Sequence, residues 1–208
     1  MKQTIAIIDY GSGNLRSVAK ALEHVAPLAE IVVSSDPKML AGASHIVLPG
    51  VGAFADCMAG LLAIPDMLPT LREQVLTNGK NFLGICVGMQ MLFERGHEHG
   101  VHNGLGWLQG EVVPIAPAKA LKIPHMGWNE LKIVQESPLL AGIATGDHAY
   151  FVHSYYAKVE NVAEVLATTA YGAEIPVIVA KNNVYGTQFH PEKSQKTGLR
   201  LLENFVNL

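Results

Sequence analysis

This chain is short of cysteine, short of charge and without a strong excess of either sign. Its 208 residues include only two cysteines, Cys57 and Cys86, too few for the disulfide framework of a small secreted domain, so a reducing, cytoplasmic setting is expected. Charged residues make up 16% and the formal net charge is −3, which leaves no basic footprint for nucleic acid. No apolar run approaches the roughly 20 residues that cross a bilayer. The opening Met1-Lys2-Gln3-Thr4-Ile5 enters strand-like sequence at once, with no signal-peptide layout, so no membrane association is expected either. What the chain does have is a 49% hydrophobic content, enough to bury a substantial core. Its length fits one globular unit, and 1–208 is read as a single domain.

Short apolar runs alternate with amphipathic stretches through the first half. Ile5–Ile8, Ile31–Val33, Ile46–Leu48 and Phe82–Ile85 read as buried parallel strands. Leu15, Val18, Ala19, Leu22 and Val25 recur at helical spacing between the first two, and Leu68, Leu71, Val75 and Leu76 between the last two. This order predicts an α/β fold: a mostly parallel, doubly wound sheet flanked by helices in three layers. From about Trp107 to Gln188 the segments are strand-like and joined by Gly, Pro and Asn turns. Gly110–Pro114, Tyr150–His153 and Ala163–Thr168 predict an antiparallel extension of that sheet, or a small β-layer beside it. A closing helix from about Ser194 shows Leu199, Leu202, Phe205 and Val206 on one face.

The chemistry concentrates in Gly84-Ile85-Cys86-Val87-Gly88-Met89, between an apolar run and an amphipathic one. A cysteine flanked two positions either side by glycine is the thiol form of a nucleophile elbow. The glycines permit a strand-to-helix turn too sharp for a Cβ, and the helix-opening amides favour negative charge on the sulfur. A partner base is available far along the chain in His190-Pro191-Glu192, which follows the strand-like Val184–Phe189. His190 suits a general base and then acid; Glu192 suits the carboxylate that fixes its tautomer, and Pro191 stiffens the aim. Pro49-Gly50-Val51-Gly52 offers backbone amides for an oxyanion, with Val87 N–H as a second donor. In an open parallel sheet ligands bind at the carboxyl ends of strands, where these loops and Gly11-Ser12-Gly13-Asn14 all fall.

Together these residues resemble a class I (triad-type) glutamine amidotransferase over essentially the whole chain, with Gly84 to Gln90 and His190 to Glu192 as its two signatures. Within that family, Ile8–Leu15, Leu48–Phe54, Pro124–Asn129 and Tyr150–Tyr155 are similar to the glutaminases of imidazole glycerol phosphate synthesis in histidine biosynthesis. The resemblance implies a flavodoxin-like layered fold and a Cys86–His190–Glu192 triad that hydrolyses L-glutamine through a γ-glutamyl thioester. Gly50, Val51, Gly52 and Val87 would hold the oxyanion; Gln90, His153, Ser154 and Tyr155 would hold the substrate. It implies a heterodimer with a (β/α)8-barrel cyclase subunit, contacted by Asn14, Met126, Trp128, Tyr150 and Lys193. The cyclase would turn the ammonia into imidazole glycerol phosphate with release of an aminoimidazole carboxamide ribonucleotide. No cofactor and no metal is implied.

Other readings are weighed against this one. Gly11–Arg16 begins like a dinucleotide fingerprint, but Arg16 stands where the third glycine must pack. His97, His99 and His102 lack ligand spacing and read as a solvated loop; Cys57 reads as structural. A thiol peptidase would have no use for Pro124–Asn129. A catalytically silent binding module would have lost Cys86, His190 or Glu192, and a triad glutaminase for vitamin B6 or nucleotide synthesis would lack Pro124–Asn129.

Overall fold

The computed structural model describes residues 3–116 and 121–208; Met1 and Lys2, part of the strand-like opening, lie outside them. The described strands are β1 Thr4–Ile8, β2 Glu30–Ser34, β3 His45–Gly50, β4 Asn81–Cys86, β5 Arg95–Gly96, β6 His102–Asn103, β7 Gly110–Pro114, β8 His125–Glu130, β9 Lys132–Ile133, β10 His148–His153, β11 Tyr155–Val159, β12 Val165–Ala170, β13 Glu174–Lys181 and β14 Val184–Thr187. The α-helices are α1 Leu15–Val25, α2 Met39–Gly42, α3 Phe54–Ala63, α4 Met67–Arg72, α5 Val87–Gln90 and α6 Gln195–Val206.

The main sheet runs in the order β2-β1-β3-β4-β14-β13-β12-β9. Its first five strands are parallel, and that order is the doubly wound, flavodoxin-like one. β13, β12 and β9 extend it antiparallel. A four-stranded sheet (β11-β7-β5-β6) and the ribbon β10-β8 form a second layer, so both forms of the expected β-rich half are present. β1, β3 and β4 are almost wholly buried, because neighbours and helices cover them on both faces. α1 packs against α6 on one side, and α3 contacts α4 and α5. No single helix among the described residues is long and apolar enough to cross a membrane.

Four expectations are corrected. Ile31–Val33 is not a buried strand: β2 closes one edge, pairs with β1 alone, and leaves Val33 42% exposed. Leu76 leaves the apolar stripe because α4 continues as a π-helical turn over Glu73–Thr77, with Asn78 N–H on Glu73 O at 2.9 Å; the wider turn rotates Leu76 to solvent. The segment from Ala163 begins as a 3₁₀ turn at Val162–Glu164, capped by Asn161, and becomes a strand only at Val165. The polar stretch 96–103 is partly sheet: β5 pairs with β6 and β7, and His97 Nε2 lies 2.7 Å from Glu111 Oε2.

Candidate active site

β4 ends at Cys86, whose φ of 58° and ψ of −112° place a residue with a Cβ in a strained region. The strain sits on the cysteine itself. Gly84 and Gly88 have ordinary φ and serve a different need, close backbone approach: a Cβ on Gly84 would strike the Gly88 carbonyl, and one on Gly88 would strike the Leu48 carbonyl. The elbow is therefore held by contact with the end of β3, and α5 opens directly behind it.

β14 runs parallel beside β4, with Thr187 opposite Ile85, so the chain leaving β14 carries His190 to the same end of the sheet. His190 Nδ1 lies 2.9 Å from Glu192 Oε1. Cys86 lines the same cavity and is close enough to the ring to raise its pKa. Ser194 fixes the backbone here: its Oγ donates to His190 O at 2.7 Å and accepts from Tyr150 N–H at 2.9 Å. Burial pulls the His190 pKa down, but the hydrogen bonds and charges of Cys86 and Glu192 outweigh it and raise the value to about 9. The imidazole therefore holds its proton at neutral pH.

Glu192's side chain is fully buried. Its Oε1 also accepts from Asn14 Nδ2 at 3.3 Å, while Oε2 has no partner among the described residues. Asn14, expected on a partner surface, thus reaches the triad carboxylate.

A cavity of about 270 Å³ opens above Cys86 and His190, lined by Val51, Gly52, Val87 and Gln90 and by the corner His153–Tyr155. A larger, more open groove of about 520 Å³ lies at the other end of α1, lined by His24, Lys196 and Arg200 and away from Cys86. Of the expected oxyanion group, Gly50 ends β3, and Gly52 takes a φ of +113°. Val87 opens α5. Val51 departs from the expectation: its N–H is given to Ser12 Oγ at 3.3 Å rather than to the cavity. Below the loop, Tyr10 OH donates to Pro49 O at 2.7 Å, and buried Cys57 packs with its Sγ 3.7 Å from Val51 O.

Of the expected substrate group, Gln90 is buried and gives its amide hydrogens to Tyr155 O and Gln188 Oε1, both at 3.1 Å. Its own oxygen is the end left for a ligand. Ser154 O is taken by Ile115 N–H at 2.9 Å. His153 is buried behind the corner and donates through Nδ1 to Tyr155 O at 2.9 Å.

Glu98 was missed in the sequence. It lines the cavity, and one oxygen accepts from Phe54 N–H at 2.8 Å at the start of α3. No spacing links it to Cys86. Only the pairing of β5 with β7 folds the 96–103 stretch back over α3.

Met126 and Trp128 alternate outward along β8, 62% and 47% exposed. Trp128 packs edge-on against Tyr150, with ring centroids 5.9 Å apart. It is therefore not a core tryptophan. Lys193 is exposed and directly follows Glu192; Asn14 bonds Glu192, and Tyr150, opposite Trp128 in the β10–β8 ribbon, accepts the His190 N–H at 3.1 Å, so these residues neighbour His190 and Glu192 without lining the cavity.

Residues 6–208 match the family Glutamine amidotransferase class-I. The imidazole glycerol phosphate synthase subunit HisH of Rhodospirillum rubrum is 54% identical over 208 residues, covering 97% of each chain. The subunit of the same name from Brucella abortus is 52% identical over 210 residues, again covering 97% of each. The solved structure of PurLQS from Thermotoga maritima shares the fold at a TM-score of 0.74 and 20% identity, covering 100% of this chain and 99% of that one. By its elbow, its fold and its likeness to these relatives, the chain belongs to the class I glutamine amidotransferases and, among them, to the HisH family.

Proposed function

We propose that Cys86, His190 and Glu192 hydrolyse L-glutamine to glutamate and ammonia, and that the ammonia serves the synthase for which the relatives are named. The observation that carries this reading is a strained cysteine at the floor of a cavity, within reach of an imidazole that holds its proton. Cys86 Sγ attacks the side-chain carboxamide carbon, and the oxyanion takes hydrogen bonds from Val87 N–H and the Gly50–Gly52 loop. His190, oriented by Glu192, passes its proton to the nitrogen as the C–N bond breaks, so ammonia leaves and a thioester remains. His190 then takes a proton from water, whose oxygen displaces the sulfur and completes glutamate. Glu98, with Ser154 and the free oxygen of Gln90, suits the α-ammonium end of the substrate by charge and hydrogen-bonding capacity.

The partner in this reading is a (β/α)8-barrel cyclase subunit. It docks through Met126, Trp128, Tyr150, Lys193 and Asn14, because aromatic and Met side chains suit an interface core. One domain is supported by a main sheet that draws strands from residues 4–8 to 184–187. The absence of a disulfide requirement suits the cytoplasm.

The test is glutamate release from glutamine by the purified chain, alone and with a barrel cyclase and its ribonucleotide. Turnover that rises strongly only with both, and that vanishes in Cys86→Ala, is the expected result. Turnover unchanged by the cyclase assigns another ammonia acceptor, and turnover by Cys86→Ala overturns the triad.

A further inference from the structure

The Tyr155 carbonyl accepts two side-chain donors, Gln90 Nε2 at 3.1 Å and His153 Nδ1 at 2.9 Å. A carbonyl oxygen only accepts, so Gln90 must turn its nitrogen toward it, which settles the otherwise interchangeable ends of that amide. The same nitrogen gives its second hydrogen to Gln188 Oε1 at 3.1 Å. Gln188 must therefore present its own NH2 on the other side, and Cys86 Sγ stands there at 3.9 Å. One backbone carbonyl thus sets the polarity of a chain that ends on the nucleophile.

Gln188 is wholly buried and lies just past β14, its backbone N–H held by Val177 O at 2.9 Å. A primary amide in that position costs free energy unless its hydrogens are used. With Oε1 committed to Gln90, the acceptor its nitrogen faces is the sulfur.

We propose that Gln188 is an active-site residue, a neutral N–H donor that steadies negative charge on the Cys86 sulfur and fixes its direction of attack. The proposal deepens the reading of Cys86 as nucleophile and rests on it. Gln188 differs from His190 in kind. His190 gains and loses a proton during turnover, whereas the amide does not titrate. Its hydrogen is present before the attack and again when the thioester releases the sulfur. Gln90 acquires a second role as the strut that orients Gln188.

The test is the rate at which iodoacetamide alkylates Cys86 in the full chain, with Cys86→Ala giving the Cys57 background. Gln188→Met keeps the bulk and removes the donor. Alkylation about tenfold slower than in the parent is expected near neutral pH, the loss of one hydrogen bond to a charged group. Glutaminase kcat should fall in step while KM holds. Gln188→Glu keeps an acceptor for Gln90 and, when ionised, offers the sulfur no hydrogen. It should be slow wherever the carboxyl is ionised and recover relative to the parent as pH falls and the protonated acid donates an O–H, with burial beside the sulfur moving that recovery above the usual carboxylate range. A merely structural amide predicts no such recovery. If neither variant folds, the Gln188 side-chain amide resonance decides in a folded protein: it should move between the parent and Cys86→Ala. Parent-like alkylation of folded Gln188→Met at every pH, or an unmoved resonance, overturns the proposal. Failure of the wider reading is distinct, since Cys86→Ala would then still release glutamate.

Discussion

Ser12 grips both polar groups of Val51: its Oγ donates to the Val51 carbonyl at 2.5 Å and accepts from the Val51 N–H at 3.3 Å. Cys57 Sγ supports the pair, 3.4 Å from Ser12 Oγ, and burial pushes the Cys57 thiol up, so it stays a neutral packing group. The Val51 amide, one of those expected to greet an oxyanion, is thereby turned to the protein. In the proposed mechanism that leaves the task to Gly52 and Val87.

Ser12→Ala should consequently raise glutamine turnover by the isolated chain. Two hydrogen bonds that favour the inward amide are lost, each worth about 1 kcal/mol, which shifts the loop equilibrium by roughly thirtyfold. Steady-state glutamate release checks this, and an unchanged or lower rate means the hydroxyl does not restrain the loop.

The strain at Cys86 makes a prediction about stability with an inverted order. In ordinary positions glycine is less stable than alanine by about 0.5–1 kcal/mol. At a φ of 58° alanine keeps the clash and glycine escapes it, a relief of about 1–3 kcal/mol. Cys86→Gly should unfold at higher urea than Cys86→Ala, although both are inactive. The usual order would show that the elbow backbone relaxes once the thiol is gone.

Much of the fold and of the candidate site is legible in the sequence, and the reason is physical. β1, β3 and β4 are central strands buried on both faces, so their apolar runs are unambiguous. The Ile31–Val33 run of β2 is just as apolar, but its exposure depends on standing last in the sheet, which no local pattern encodes. Cys86, His190 and Glu192 are legible as candidates because an elbow needs glycines within two residues of Cys86, and because Pro191 ties Glu192 to His190. Glu98 and Gln188 are not visible there, since their placement depends on contacts between segments far apart in the chain. Even the correct glycines carried an inexact reason: Gly84 and Gly88 make room for backbone, and Cys86 itself bears the unusual φ.

Glu192 should govern the alkaline limit of activity. With His190 near 9, the imidazole stays protonated for ammonia departure across neutral pH, and the rate falls as pH passes that value. Glu192→Gln removes a charge that favours the protonated ring, so the alkaline limb should move to lower pH. The wrong tautomer becomes accessible, and kcat should drop by about a hundredfold or more. A pH profile of kcat/KM reads both effects, and a limb that stays in place would separate Glu192 from the imidazole.

The buried histidines behind the substrate corner tie stability to pH in the opposite sense. His125 Nδ1 lies 2.9 Å from His153 Nε2, and Asn129 Nδ2 lies 3.2 Å from His125 Nε2. Because His153 Nδ1 must donate to Tyr155 O, His153 Nε2 is the acceptor, His125 Nδ1 the donor and His125 Nε2 the acceptor from Asn129. Every position is satisfied only when both rings are neutral. Desolvation by burial lowers each pKa to about 4, with the charge of His190 adding to the effect on His153. The unfolded chain therefore binds more protons than the folded one between about 6.5 and 4, so stability is intact above that window and lost as pH falls through it. The loss should be on the order of 2 kcal/mol by urea unfolding near pH 7.5 and pH 4.5. Carboxylates add their own acid sensitivity, so the decisive comparison is with His153→Gln, whose side chain cannot protonate. A shallower slope in that variant is expected, and a slope equal to the parent's would place the acid sensitivity elsewhere in the molecule.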